Sequence, residues 1–165
     1  MVLRLSKCAL LFAVSLYYAL VVFNNVMDYN SNFQFVHHVL LMDSTFPGNA
    51  GMWRAVHSTV LHHAFYLSII LWELLTALLC LAGAVQLVRS LHAPASAFNA
   101  AKRIGIIALT LSLLMWFVAF LGVGAEWFLM WQSKEWNGQE AAGRMFLVVG
   151  VVLLYLAMPE HENQP

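Results

Sequence analysis

Five of the seven histidines, His37, His38, His57, His62 and His63, fall in one stretch of the chain. Imidazole is the commonest metal ligand and titrates near neutral pH, so the group raises metal binding, haem ligation or proton sensing. Met27, Met42 and Met52 would suit a soft ion such as copper. Spacing argues against a simple site. Neighbours such as His37 and His38, or His62 and His63, diverge by about 100° on a helix of 3.6 residues per turn. His57 and His62 are five apart, off the spacing that shares a helix face. His37, His38, His62 and His63 stand as candidate metal ligands, with interfacial or hydrogen-bonded imidazoles as the plainer reading. For haem, the axial ligands of a membrane cytochrome come from facing helices at one depth. Three of the four apolar spans described below hold no histidine, which leaves only a pairing of His62 or His63 with His37 or His38 outside the bundle.

Other chemistry is sparse. No Gly-rich phosphate loop, HExxH or GxSxG occurs. Cys8 and Cys80 fall toward the same half of their spans and do not make the thiol relay of an oxidising compartment.

The elements that position these residues follow from composition. Of 165 residues, 62% are hydrophobic and 10% charged, with a net charge of zero and a mean hydropathy of +0.75. Soluble domains have about 45–50% apolar and about 25% charged residues, so this chain belongs in a membrane. A soluble enzyme, a nucleic-acid binder and a disordered tail are excluded, because each needs more charge.

A span needs about 20 apolar residues. Four runs qualify, over 8–27, 61–88, 104–131 and 138–158, with an outer cap over 28–60. The expected fold is an all-α membrane protein, a single four-transmembrane-helix bundle with short amphipathic helices capping the outer face. Arg4 and Lys7 precede the first run as in a signal peptide, but no small-x-small cleavage site follows, so it reads as a retained helix. Arg4, Lys7, Arg89, Lys102 and Arg103 fall on one side of the membrane, against Arg54, Lys134 and Arg144 on the other. The positive-inside rule therefore puts both termini in the cytoplasm. Trp53, Trp127, Trp131 and Trp136 fall at the outer interface.

Seams of small residues recur along the spans. Gly105, Ala108, Ser112, Met115, Ala119, Gly122 and Glu126 mark the third, and His62, Tyr66, Ile69, Glu73, Thr76, Ala77, Cys80 and Ala84 the second. Gly143, Gly150 and Ala157 mark the fourth. At about 1.5 Å rise per residue from the cytoplasmic boundary, Asn24, Glu73 and Arg144 share a layer at about 22–25 Å. A charge there needs a partner, so Glu73 is expected to pair with Arg144, with Asn24 adding a hydrogen bond. Asp28, Tyr66 and Glu126 form a second layer at roughly 31–34 Å, nearer the outer water.

In the cap, Phe33, Val36, His37, Leu40 and Leu41 follow helical spacing, with Asn30, Ser31 or Asn32 available as the N-cap. Phe46-Pro47-Gly48-Asn49 is turn chemistry, and a second short helix is expected over Gly51–Ser58. Asn137 and Glu140 have capping-box spacing.

Several segments resemble a bacterial family of predicted small integral membrane proteins, domain of unknown function 2165. They include Val22-Phe23-Asn24-Asn25, Asp28-Tyr29-Asn30-Ser31-Asn32-Phe33-Gln34-Phe35-Val36, Met52-Trp53-Arg54 and His62-His63. Trp72-Glu73, Glu126-Trp127-Phe128, Met130-Trp131-Gln132-Ser133 and Trp136-Asn137-Gly138-Gln139-Glu140-Ala141 continue the similarity. The resemblance implies a bacterial inner membrane and four helices, and brings no activity, cofactor or catalytic residue.

The functional expectation is a non-catalytic subunit that binds another membrane protein, or copies of itself, through its bundle and cap. A metal- or redox-handling subunit using the outer histidines with Asp28, Asp43 or Glu126 is one alternative. A small-solute or proton carrier through Asn24, Glu73 and Arg144 is the other.

Overall fold

The computed structural model describes residues 1–161. The protein is all-α, and four of its helical stretches are long and apolar enough to cross a membrane. Helix α1 spans Val2–Met27, α2 Tyr29–Leu41 and α3 Thr59–Arg89. The third span is composite: α4 (Ala95–Ala101) joins α5 (Arg103–Leu114) at Lys102, and a π-helical stretch continues it over Met115–Trp127. Helix α6 spans Gln139–Ala157 and returns the chain to the end at which it began.

The expected third span starts at Ile104, whereas the structure begins it at Ala95, after Pro94. Proline's fixed φ suits the residue leading into a helix, and Phe98 is buried completely, so α4 belongs to the packed bundle.

Most polar groups inside the spans are paired, as hydrocarbon requires. Tyr18 on α1 is hydrogen-bonded to Ser112 on α5, and the Trp116 Nε1–H donates to the Tyr18 hydroxyl at 2.7 Å. Ser15 donates to the Ala77 carbonyl at 2.9 Å, linking α1 to α3. Trp72 donates to the Leu111 carbonyl at 3.1 Å, linking α3 to α5. Around these bonds Leu11, Cys80, Leu87, Leu109 and Leu156 close the larger of two apolar cores.

Two glycines set a close helix crossing. A Cβ on Gly83 of α3 would lie 2.8 Å from the Gly105 nitrogen, and one on Gly105 would lie 2.6 Å from Leu11 Cδ2. Backbone therefore meets backbone where α3 crosses α5, with Leu11 and Leu156 pressed over the crossing.

The π-helical stretch changes which residues face inward. Its N–H groups reach five residues back, as Phe128 does to Val123 at 3.0 Å, so each turn is wider than 3.6 residues. The seam expected from helical spacing holds through Gly105, Ala108, Ser112 and Met115, all buried. Beyond them Gly122 and Glu126 turn outward, and Trp116 and Ala125 take the buried positions. In α6 the buried side is Ala142, Val149, Val152 and Leu156, rotated from the expected Gly143, Gly150 and Ala157. In α3 Ile70 replaces Ile69, and the rest of the expected stripe is buried.

At the end where the termini meet, two buried lysines hold α6. Lys7 donates to the Met158 carbonyl at 2.8 Å and to Glu160 at 2.5 Å, and Lys102 donates to the same carbonyl at 2.6 Å. Cations at the C-terminus of α6 also suit its dipole. Burial pushes the Glu160 carboxyl up, but the hydrogen bond from Lys7 and the charges of Lys7, Lys102 and Arg4 outweigh it and hold the group below its usual range.

The glycine crossing gives a direct test. Gly83→Ala and Gly105→Ala should each lower stability by about 1–3 kcal/mol through overpacking, read as thermal unfolding in detergent. Gly143→Ala, where an added Cβ meets no atom within 4 Å, should leave the transition unchanged.

Candidate functional site

The cap is built on a sharp corner. Only Asp28 separates α1 from α2, so the second helix starts at Tyr29 rather than at the Asn30–Asn32 cap expected, and it lies across the bundle end. Its buried face is Phe33, Val36, Val39 and Leu40. It stops at Met42, which is in the left-handed region at φ 55° with its side chain buried. Phe46-Pro47-Gly48-Asn49 then turns the chain, with Gly48 at φ 76° and the Asn49 N–H on the Phe46 carbonyl, as a type II turn with proline second and glycine third demands. The short helix expected over Gly51–Ser58 is confined to the single turn Met52–Arg54. The Val56 N–H bonds to the Leu40 carbonyl at 2.8 Å, and that long-range bond holds the segment extended.

Rings pack α2 against the first turns of α3. Phe33 stacks on His63 with centroids 4.1 Å apart and planes 8° from parallel, and Tyr29 meets Tyr66 edge-on at 4.7 Å. The Tyr29 hydroxyl lies 2.9 Å from His63 Nδ1. His38 stacks on Trp136 at 4.6 Å and donates to Asp43 at 2.7 Å. Ser44 and Ser133 join at 2.9 Å, and the Phe46 N–H donates to Gln132 at 3.0 Å, so the cap loop is stitched to the loop before α6.

His37 and His62 are joined imidazole to imidazole. Their Nδ1 atoms are 2.8 Å apart, and His62 Nε2 is 2.8 Å from the Val56 carbonyl, which only accepts. With His62 neutral, its proton is therefore on Nε2, His62 Nδ1 accepts, and His37 donates from Nδ1. His62 is fully buried. Burial, then the neighbouring His62 and His38, hold His37 below the usual imidazole range, against an opposing pull from Asp43 and a further lowering by His63. The four histidines considered as ligands are thus distributed over three separate partnerships. Among the described residues no three His, Cys, Asp or Glu side chains come together as a metal-binding group.

Beneath the cap lies Glu73, buried on α3. The Asn25 side-chain amide donates to its carboxylate at 2.7 Å, and the Tyr66 hydroxyl donates to the Asn25 backbone carbonyl at 3.3 Å. The expected trio of Asn24, Glu73 and Arg144 is not formed. Asn24 is exposed, and its neighbour points inward instead. The Arg144 side chain is 67% exposed and its nearest carboxylate contact is Glu140, 4.0 Å away and one turn back. A depth count fixes height along a helix but not azimuth, and adjacent residues differ by about 100°. Of the second layer, Tyr66 is buried while Asp28 and Glu126 are exposed. The Asn137–Glu140 capping box is also absent. Asn137 instead accepts from the Gln139 N–H at 3.1 Å, and Gly138 is the N-cap.

Asn25, Tyr29 and Lys102 are the polar positions that sequence spacing overlooks. Asn25 and Tyr29 lie four apart across the α1–α2 corner, a spacing that hints at a shared side only once the corner is known.

Four membrane-spanning helices with an aromatic, imidazole-rich cap define a small polytopic integral membrane protein. The chain belongs to the family described as predicted small integral membrane protein (DUF2165), which matches residues 3–159. Neither the curated proteins nor the solved structures contain a match to it.

Two tests follow from this geometry. Glu73→Ala and Asn25→Ala should be coupled in a double-mutant cycle by about 0.5–3 kcal/mol, while Glu73→Ala and Arg144→Ala should add independently in thermal unfolding. Because the folded-state pKa of His37 is depressed, its stabilising contribution is present above the unfolded value of about 6.5 and is lost as pH falls through the folded value. Unfolding temperature should therefore fall on acidification below about pH 6, and His37→Gln should flatten that part of the profile.

Proposed function

We propose that this protein is a non-catalytic accessory subunit whose bundle receives a membrane-spanning helix of another protein between α1 and α6. The observation that carries the reading is an open seam. A groove of about 600 Å³ runs between these helices along Ser6, Leu10, Leu147, Val151 and Tyr155. A second hollow of about 220 Å³ continues it past Ala13, Tyr17 and Met145. Helix α6 is the least covered span, with 22% of its apolar window buried against 33–39% for the others. Leu147, Val151 and Leu154 project from it. Small residues such as Ser6 and Ala13 permit close helix approach, and packing rather than hydrophobicity drives association in lipid.

Location and orientation are part of the same reading: a bacterial inner membrane, a single domain over 1–165 of which residues 162–165 lie outside the described residues, and both termini cytoplasmic. The family description supports an integral membrane protein, and the excess of Lys and Arg at the terminal end supports the orientation. The hydrogen bonding of Glu73 to Asn25 supports a structural role for that layer over solute or proton transport, because the carboxylate is engaged within the bundle.

Affinity purification from native membranes in mild detergent tests the proposal. A partner should copurify with the wild-type chain and be lost with Val151→Trp, which fills the groove from an exposed position. A chain that migrates alone or only with copies of itself, or a partner retained by the variant, contradicts it.

A further inference from the structure

Beneath α2 is another hollow, unrelated to the α1–α6 seam. It measures about 230 Å³ and is bounded by Val39 and Leu40 of the cap helix, Ile69 and Trp72 of α3, and Phe120 and Val123 of the π-helical stretch. The wide π turn shapes one wall, and Gly124 leaves space beside it. The wall's polar side-chain groups are already engaged: Ser68 donates to the Phe65 carbonyl and Trp72 to the Leu111 carbonyl. A polar solute would find no free donor among them. Apolar cavities of about 150 Å³ already stay dry and take up apolar ligands. Since the wall belongs to membrane-spanning helices, the hydrocarbon chain of a lipid is the occupant at hand.

A cation stands at the same end. The Arg54 guanidinium lies 5.4 Å from the Trp127 ring centroid and 5.9 Å from that of Trp53, with Trp127 directly preceding Phe128 of the cavity wall. Two residues beyond Arg54, Val56 is bonded to Leu40 of the same wall. Arg54 is held by its Nε–H on the Gly51 carbonyl at 3.2 Å and forms no ion pair among the described residues. Gly51 is what lets the guanidinium fold back, because a Cβ there would lie 2.1 Å from Arg54 Nη2. An arginine without a carboxylate, set between interfacial indoles, matches a phosphate oxyanion.

We propose that the cap end binds one membrane phospholipid, with an acyl chain in the cavity under α2 and the phosphate on Arg54. Charge and apolarity are complementary to the two parts of one molecule. The site is independent of the groove assigned to a protein partner.

Native mass spectrometry of the delipidated full chain in micelles tests this with three probes. These are phosphatidylglycerol, diacylglycerol with the same chains, and inorganic phosphate. Phosphatidylglycerol should bind about tenfold more tightly than diacylglycerol, a difference of about 1.4 kcal/mol. Arg54→Gln should erase that preference, as should Gly51→Ala, which displaces the guanidinium while keeping its charge. Val123→Trp, placed at a position 40% exposed, should weaken both lipids. Circular dichroism melting checks that each variant is folded, and Arg54→Gln, which touches no core residue, carries the test should Val123→Trp unfold. Equal binding of the two lipids to the wild-type chain, or unchanged preference in Arg54→Gln, overturns the proposal. So does competition by inorganic phosphate at the lipid's own concentration, which would make the ligand a free anion.

Discussion

Water is absent from the bilayer core, so a polar group there must find its partner within the protein or not be there at all. The arrangement of the bundle follows from where those partners lie. Tyr18, Ser112 and Trp116 bind α1 to α5, Ser15 binds α1 to α3 through the Ala77 carbonyl, and Trp72 binds α3 to α5. The glycine crossing at Gly83 and Gly105 brings the backbones of α3 and α5 into contact. Helix α6 has one such bond near its C-terminal end, where Tyr155 meets Ser6 of α1 at 2.6 Å. It is held at its C-terminus by Lys7 and Lys102 on the Met158 carbonyl and at its start by the stitched loops of the cap.

The same constraint explains the cap. Glu73 reaches too far inward for water to satisfy it, and Asn25 supplies the donor. Asn25 sits in the last turn of α1, just before the chain bends at Asp28, so the corner that satisfies Glu73 also sends α2 over the bundle end. The imidazoles then become packing elements: His63 under Phe33, His38 on Trp136, and His62 between His37 and the Val56 carbonyl. A buried imidazole hydrogen-bonded on both nitrogens rigidifies the joint between α2 and α3.

Composition and apolar run length made the all-α class and the four spans legible, because both depend only on local content. The second span was readable nearly to the residue, 61–88 against Thr59–Arg89, since an ordinary α-helix keeps one period throughout. The third was not. Its π-helical stretch shifts phase after Met115, and no local residue pattern announces that shift, so helical spacing puts Gly122 and Glu126 on the inner side whereas the structure exposes both. Glu73 is legible by depth, yet the expected pairing with Arg144 does not form and the hydrogen bond comes from Asn25 rather than Asn24, because height along a helix leaves azimuth open. The lysine pair at Met158 was invisible for a different reason. It joins residues 7, 102 and 158, and only tertiary packing brings them together.

A bundle with three helices bonded to one another and a fourth tied mainly at its ends has a groove beside that fourth helix, the seam proposed to take a partner helix. Photo-crosslinking in native membranes reads that seam without removing lipid. A photoreactive residue at Val151 should give a discrete adduct with one other membrane protein, while the same residue at Leu71, exposed on α3, should give lipid adducts only. Lipid adducts alone from both positions would contradict the assignment of this chain as a helix-binding subunit.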